Sequence, residues 1–574
     1  MISLRSAKRL TRDVTYRSRQ WLRIGAVMIA LTLLSVGTGT ANAQTNAGGR
    51  NEVFAGSDLE SYLRYLQTSE KATPYPWSIR SFSPSEIDAI AVADSTHPWA
   101  ARFSLGKQSS TGFSWDYIRP RLTFYLNTSY AFGGNDGTVW QGKGLTTAFQ
   151  SGVSGRWGPL SGTLAPIAFR AENQSFPLMP NGETTRLRFA DGQFPLMIDL
   201  PQRFGTAPYS RIDIGESTLR ADLYGLALGI STASQWWGPT QNFPYVLGNN
   251  AGGFPHVFFG TSKPANLWLA KFHARVVYGE LDQSQFSSVV GPKYFENFGL
   301  AGRRRFMAGL VALIQPRGAP GLEIGGARFF HAALDSSGVS SHNLGLPFQQ
   351  IFKFSLKKES DTAVFGDTRA LKENQLASLY IRWAPPGSGL DIYGEYGRED
   401  HSANKRDLLM QIDHSATQNF GIRKAWFAPG RINAVRAEVF NYESPAGSRT
   451  RGEGQIYLHG ILRQGHTNRG QLLGADVGLG SGSAQTVAYD RYTRSGKLTA
   501  FFTRTVAHEA RTLYRSGAPT ENAMDVMNSF GAEMTRFFGP LDVTARATFT
   551  GELNRNLRGD QSNGNFMLSV RQNL

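Results

Sequence analysis

The chain has 574 residues, with 60 Lys and Arg against 44 Asp and Glu, 63 Gly, 26 Pro, 10 Met and no Cys; 12% of residues are aromatic and 18% charged. Low charge with abundant aromatics excludes a disordered chain, and the glycine content argues against a helical bundle, where Gly is costly. Without cysteine there are no disulfides, Cys-ligated zinc, iron–sulfur clusters or thiol nucleophiles.

The N-terminus carries Arg5, Lys8, Arg9, Arg12, Arg17, Arg19 and Arg23 against Asp13 alone, then the apolar run Ile24–Val36 and Ala41-Asn42-Ala43. A basic stretch, a short apolar stretch and an A-x-A site predict a secretory signal peptide over 1–43, cut after Ala43. The apolar run is shorter than the roughly 20 residues a spanning helix needs. The peptide takes seven basic residues and one acid with it, so the mature chain keeps 53 and 43, a net charge of +10. That excess suits anionic outer-membrane lipid, lipopolysaccharide or acidic polysaccharide. No basic cluster with interleaved aromatics points to nucleic acid.

Residues 44–99 read as a small helical element. Leu59, Tyr62, Leu63 and Leu66 share one face after Ser57-Asp58, with Glu60 placed for a capping box. Ser83-Pro84-Ser85-Glu86 opens a second helix carrying Ile87, Ile90 and Ala91.

From about residue 100 to 574 the period becomes two. Leu122, Phe124, Leu126, Tyr130 and Phe132 alternate with Arg121, Thr123, Tyr125, Asn127 and Ser129. The runs Leu145–Trp157 and Leu541–Thr550 alternate in the same way. Long strands with one apolar and one polar face predict a transmembrane antiparallel β-barrel, which leaves no strand edge unpaired in lipid. Tight turns fall at 157–160, 224–225, 315–320, 384–387, 428–430, 494–496 and 538–540, several after an aromatic, as at a periplasmic rim. Longer connections at 172–210, 235–266, 334–373, 400–415 and 508–525 then face outside. These turns with a first and a last strand give 16 strands. The further candidates 267–280 and 454–462 each need a partner to preserve parity, so the total is 16, 18 or 20, with 18 expected. Phe566, Leu568 and Val570 alternate towards the C-terminus as in a closing strand.

No enzyme pattern is present. The ten His are scattered, and His508-Glu509 lacks a second His for a zinc site. Gly478–Gly482 has no following helix to cradle phosphate. There is no G-x-S-x-G elbow. Acids such as Asp542, Glu552 and Glu395 read as lumen charges. No cofactor or metal is expected, and a monomer is favoured.

Two segments stand apart: Gln235-Trp236-Trp237-Gly238-Pro239 with the following Asn249-Asn250-Ala251, and Tyr457-Leu458-His459-Gly460 with Gly465-His466-Thr467-Asn468-Arg469-Gly470. With Tyr62-Leu63-Arg64-Tyr65-Leu66, they make the sequence resemble the Wzi-type capsule assembly family of outer-membrane proteins. The resemblance implies a barrel of about 18 strands with a periplasmic helical bundle, attaching or organising capsular polysaccharide or exopolysaccharide at the cell surface. Trp236, Trp237, Asn249 and Asn250 are the expected glycan contacts, since aromatic faces stack on sugar C–H and amides bond sugar hydroxyls. The plainer expectation for the same two Trp is that they pack their loop into the barrel, as buried Trp usually does. The competing function is a substrate-selective porin, suggested by the lumen charges Arg121, Arg156 and Arg546.

Overall fold

A strand with one apolar and one polar face cannot bury both alone, and lipid tolerates no open sheet edge, so such strands must close on one another. The computed structural model describes residues 51–573 except 91, 93–95, 104, 106–111, 290–292, 295–299, 302–303, 335–337, 350–372, 400–404, 444–455, 461 and 510–523. The signal peptide expected over 1–43 lies outside the described residues.

Eighteen antiparallel strands close into one barrel. They are β1 (Ser114–Asn127), β2 (Gly144–Trp157), β3 (Leu160–Leu164 with Ile167–Ala171), β4 (Tyr209–Asp213 with Thr218–Leu223), β5 (Leu226–Ser231) and β6 (His256–Thr261). Then come β7 (Ala270–Leu281), β8 (Arg305–Pro316), β9 (Leu322–Ala333), β10 (Glu373–Trp383), β11 (Leu390–Glu399) and β12 (Ala416–Ala428). The ring is completed by β13 (Arg431–Asn441), β14 (Ser483–Thr493), β15 (Gly496–Glu509), β16 (Met524–Phe538), β17 (Leu541–Arg555) and β18 (Gly559–Gln572). β18 returns to β1 in a register running from Arg121↔Arg571 to Asn127↔Asn565. Outward positions such as Leu122, Leu126, Leu379 and Phe549 are exposed, as a lipid-facing wall requires, while Thr123, Asn127, Asp391, Asp542 and Glu552 are buried inside.

All seven expected turns join neighbouring strands at one mouth, called here the tight-turn mouth. An eighth, over 262–269, joins β6 to β7. The missing partner of the 267–280 strand is therefore β6, concealed in what the sequence presents as a long connection. In the other unpartnered candidate, 454–462, the described residues 456–460 and 462 form no barrel strand. Ile456, Tyr457 and Leu458 are buried in the lumen, so their apolarity reflects packing inside the barrel rather than contact with lipid. The first strand also ends earlier than its alternation suggests. Tyr130 lies beyond β1, buried, with the Arg555 guanidinium 3.7 Å from its ring centroid.

Inside the barrel, at the tight-turn mouth, sits the N-terminal segment. Helix α1 (Asp58–Thr68) starts at Ser57, whose hydroxyl accepts from Glu60 N at 3.3 Å. The Glu60 carboxylate turns back to Gly56 N at 2.6 Å. Helix α2 (Pro84–Ala89) has the full capping box between Ser83 and Glu86. The apolar face of α1 (Tyr62, Leu63, Leu66) packs with Trp77, Trp99, Ala425, Ile432 and Tyr492.

The polar contacts of this segment run around the ring of strands. Glu52 bonds Arg119 of β1 at 2.8 Å and Arg571 of β18 at 3.2 Å. Tyr65 donates to Asp490 of β14 at 2.8 Å, and Arg64 pairs with Asp391 of β11 at 2.7 Å. Trp77 N and the Ser78 hydroxyl donate to Glu323 of β9, and Glu86 pairs with Arg220 of β4 at 2.7 Å. On the remaining arc Lys497 of β15 holds Asp58, and Asp542 of β17 holds Arg102. Among the described residues, the protein's own chain lies across this mouth and is tied to strands around the ring.

Candidate functional site

Residues 232–255, between β5 and β6, run into the lumen instead of projecting from it. Trp236 and Trp237 form a two-residue strand paired with Ile79 and Arg80, Trp236 opposite Arg80 and Trp237 opposite Ile79. The tryptophan pair is thus where the long-loop side of the molecule joins the N-terminal segment. Trp236 lies under the Arg80 guanidinium, 4.7 Å from the ring centroid, and donates from Nε1 to Thr240 Oγ1 at 3.3 Å. Arg80 is itself fixed by Glu60 at 2.8 Å and the Thr240 carbonyl at 2.6 Å. Trp237 is wholly buried among Ile79, Val311, Phe329 and Leu376. Its ring lies against Gly309 of β8, where any side chain would collide with it. Gly238 follows at φ +97°, and a Cβ there would stand 3.0 Å from Glu395 Oε1. Only glycine suits both that dihedral and that approach.

Asn249 donates to the carbonyls of Ala55 and Asn135, at 3.1 and 3.0 Å. Asn250 donates to Leu472 O at 3.3 Å and accepts from Asn135 N at 3.2 Å. The two amides tie residues 133–138, the N-terminal segment and residues 471–472 to the inserted loop. The second sequence motif lies beside them. His466 stacks on Tyr457, with ring centroids 5.2 Å apart, and shares a 2.6 Å hydrogen bond between Nε2 and Val246 O. A carbonyl partner requires Nε2 to carry the proton, and burial lowers this histidine to about 3, keeping it neutral. Tyr457 donates to Tyr245 O at 2.7 Å, clasping the two inserts together.

Between these inserts and the wall formed by β14 to β17 runs a cavity of about 590 Å³. It reaches from Asp58 and Ser61 on α1 to Arg555 and Asn556 at the long-loop rim. Trp236 and Asn250 border it, but both are buried, Trp236 only 1% exposed beneath Arg80; Trp237 and Asn249 do not border it. Its surface is rich in hydroxyls and in ion pairs such as Lys497–Glu533 at 3.1 Å and Arg555–Glu552 at 2.8 Å. Burial pushes the Asp136 carboxyl up, against Arg546, which lies 3.9 Å away. Asp542, Glu552 and Glu395 are lumen residues, as their alternation indicates. The alternation also marks Arg546 as inward-facing, but nothing in sequence signals that Arg80 and Glu60 would join this lining. Glu60 and Arg80 bond each other, and Arg80 reaches the Gly238 and Thr240 carbonyls of the inserted loop about 160 residues on, a tertiary pairing with no periodic signature. Among the described residues no group of three or more His, Asp or Glu is placed to hold a metal ion. The side chains of His508 and Glu509 lie outside the described set.

Comparison with known proteins agrees with this architecture. The family model described as capsule assembly protein Wzi matches residues 206–565. The chain belongs to the Wzi capsule assembly family. That match spans both lumen inserts, so the Trp-Trp-Gly-Pro loop and the Tyr457–Gly470 segment are parts of a Wzi-family barrel. Among solved structures the chain is similar to Wzi of Escherichia coli, with 12% identity, a TM-score of 0.56, and coverage of 91% of this chain and 99% of that one. That protein is described as an outer-membrane, carbohydrate-binding β-barrel involved in group 1 capsule assembly. OccK8 (OprE) and OprD of Pseudomonas aeruginosa, at 10% and 9% identity, each reach a TM-score of 0.35; they cover 79% and 80% of this chain and are covered over 97% and 92% of their own. No curated protein sequence matches the chain.

Proposed function

We propose that this outer-membrane barrel takes part in assembling capsular polysaccharide or exopolysaccharide, holding glycan at the cell surface without a chemical step. Export by the cleaved signal peptide would place the tight-turn mouth and the 44–99 segment in the periplasm, with the long connections outside. The observation that carries the reading is the pairing of a mouth occupied by the N-terminal segment with a cavity that reaches the opposite rim. A diffusion channel needs a continuous path, and the N-terminal segment, held by polar contacts from Glu52 to Arg102, lies across it, which supports the assembly reading. A glycan needs what the cavity offers: hydroxyl and carboxylate partners, with Asn250 and the buried Trp236 at its edge, Trp237 paired to Ile79 and Asn249 bonded to Ala55 and Asn135 behind them.

Planar-bilayer recording together with capture of the organism's own polysaccharide tests this. Near-silent bilayers with retained glycan are expected. A large, steady ion conductance with no glycan capture would instead establish the substrate-selective porin, for which the charged lumen lining argues.

A further inference from the structure

The described parts of two long connections, 338–349 and 405–415, fold back on the outer wall of the barrel. Helix α3 (Ser341–Gly345) and the turn after it lie against outward residues of β7, β8 and β9. Leu346 is buried on Phe306, Ala308, Phe330 and Ala332. These face away from the lumen, since their neighbours Met307 and Phe329 belong to the interior core. Tyr278 of β7 donates to Leu344 O at 2.8 Å, and Arg328 of β9 donates to the carbonyls of Pro347 and Gln349 at 3.3 and 2.5 Å. Two strands further on, the outward Tyr396 of β11 donates to Ile412 O, binding the segment after helix α4 (Lys405–Met410) to the same outer surface. The two covers bracket β10, whose outward Leu379 stays exposed.

What these covers present is unusual for loops in water. Leu344, Phe348, Leu409, Met410 and Ile412 are all exposed, the last three by 60–70%, and Lys405 and Arg406 are exposed on the same short helix. Water alone would favour burying those five apolar side chains. A partner with acyl chains below and anionic groups above satisfies both sets at once, because cations near an anionic lipid surface and apolar side chains among acyl chains are each stabilised. We infer that this collar is a docking surface for a phosphorylated, multiply acylated glycolipid of the outer leaflet, the lipid A type. Its phosphates meet Lys405 and Arg406, and its chains lie along Leu409, Met410, Ile412, Phe348 and the β10 wall. The inference rests on the orientation given under Proposed function, but not on glycan capture.

The test is retention of lipid A by the full-length barrel through detergent exchange, read by native mass spectrometry. Bis-phosphorylated lipid A, its dephosphorylated form and phosphatidylethanolamine serve as probes. The double variant Lys405→Glu with Arg406→Glu should lower retention of the bis-phosphorylated probe by about tenfold or more. The control Lys263→Glu with Lys271→Glu, at the opposite mouth, should leave it unchanged. Leu409→Ser with Met410→Ser should weaken all acylated probes alike. Heat-modifiable migration certifies that each variant is a folded barrel, and glycan capture by the Lys405/Arg406 variant should match the parent. Equal retention of the phosphorylated and dephosphorylated forms, or equal loss in the control, overturns the proposal. So does a protein that co-purifies in stoichiometric amount and is lost with the same variants while lipid A is retained.

Discussion

Replacing Trp237 with alanine should release the N-terminal segment while leaving the barrel wall intact. The side chain is wholly buried between Ile79 on that segment and Gly309 on β8. A buried Trp hides roughly 250 Å², equal to about 6 kcal/mol at about 25 cal/mol per Å². Partial collapse of the site reduces the net cost to about 3–5 kcal/mol. At about 1.4 kcal/mol per decade, the population with the segment unseated rises by about two to three and a half decades. Cleavage at Lys71 by trypsin, in the regime where opening is fast, should accelerate by the same factor. Every barrel strand pairing survives, so heat-modifiable migration stays normal and bilayer conductance rises. Trp237→Phe separates packing from polarity. Trp237 Nε1 finds no acceptor among the described residues, so losing it removes an unmet donor, and the variant should stay within about 1 kcal/mol of the parent. If Trp237→Ala gives a folded barrel whose Lys71 is cleaved no faster than the parent's, the packing argument is wrong.

Trp236→Ala should leave the segment more firmly seated than Trp237→Ala does, and because its ring is 1% exposed beneath Arg80 it should lower polysaccharide capture by less than the roughly tenfold of a lost aromatic stacking contact; a tenfold loss with the segment still seated would show that glycan displaces Arg80 and reaches the ring. Gly238→Ala forces a side chain onto φ +97° beside Glu395 and should cost at least about 1 kcal/mol, seen as a fall in the urea midpoint of segment release. Burial pushes the Glu86 carboxyl up, but Arg220, Arg275 and His273 outweigh that and bring it to about 2, below its unfolded value of 4.5. Its stabilisation, about 3 kcal/mol at most, is therefore complete above about pH 4.5 and is lost as pH falls towards 2. Glu86→Gln should flatten the acid limb of protease protection between those values, and an unchanged limb would assign it to other groups. Asp391→Asn leaves Arg64, Arg382 and Arg423 facing one another without their shared carboxylate, and should cost about 3–5 kcal/mol in segment seating by the same trypsin assay.

Much of the wall can be read from the sequence because lipid enforces strict alternation: the runs Leu145–Trp157 and Leu541–Thr550 are the strands their pattern predicts. Alternation misleads where apolar residues have another reason to be apolar. Ile456–Leu458 imitate a lipid-facing strand because they pack inside the lumen, while β6 is six residues long and disappears into its apolar neighbours. At the site, the tryptophans and asparagines are visible as a motif, but their roles depend on partners at Ile79, Arg80, Asn135 and Leu472. Those pairings are tertiary and leave no periodic trace. The helix caps at Ser57 and Ser83 are legible because a cap is satisfied within four residues.

The ring of contacts around the N-terminal segment also constrains the order of assembly. Its carboxylates and guanidinia find their partners from Arg119 on the first strand to Arg571 on the last. The part of the chain made first is therefore the part that can be seated last. Until β18 meets β1, Glu52 lacks one of its two arginines, and a segment placed early would carry charge into the lumen without its counter-charge. Seating of the N-terminal segment thus reports on closure: a barrel left open at its seam cannot hold its own stopper.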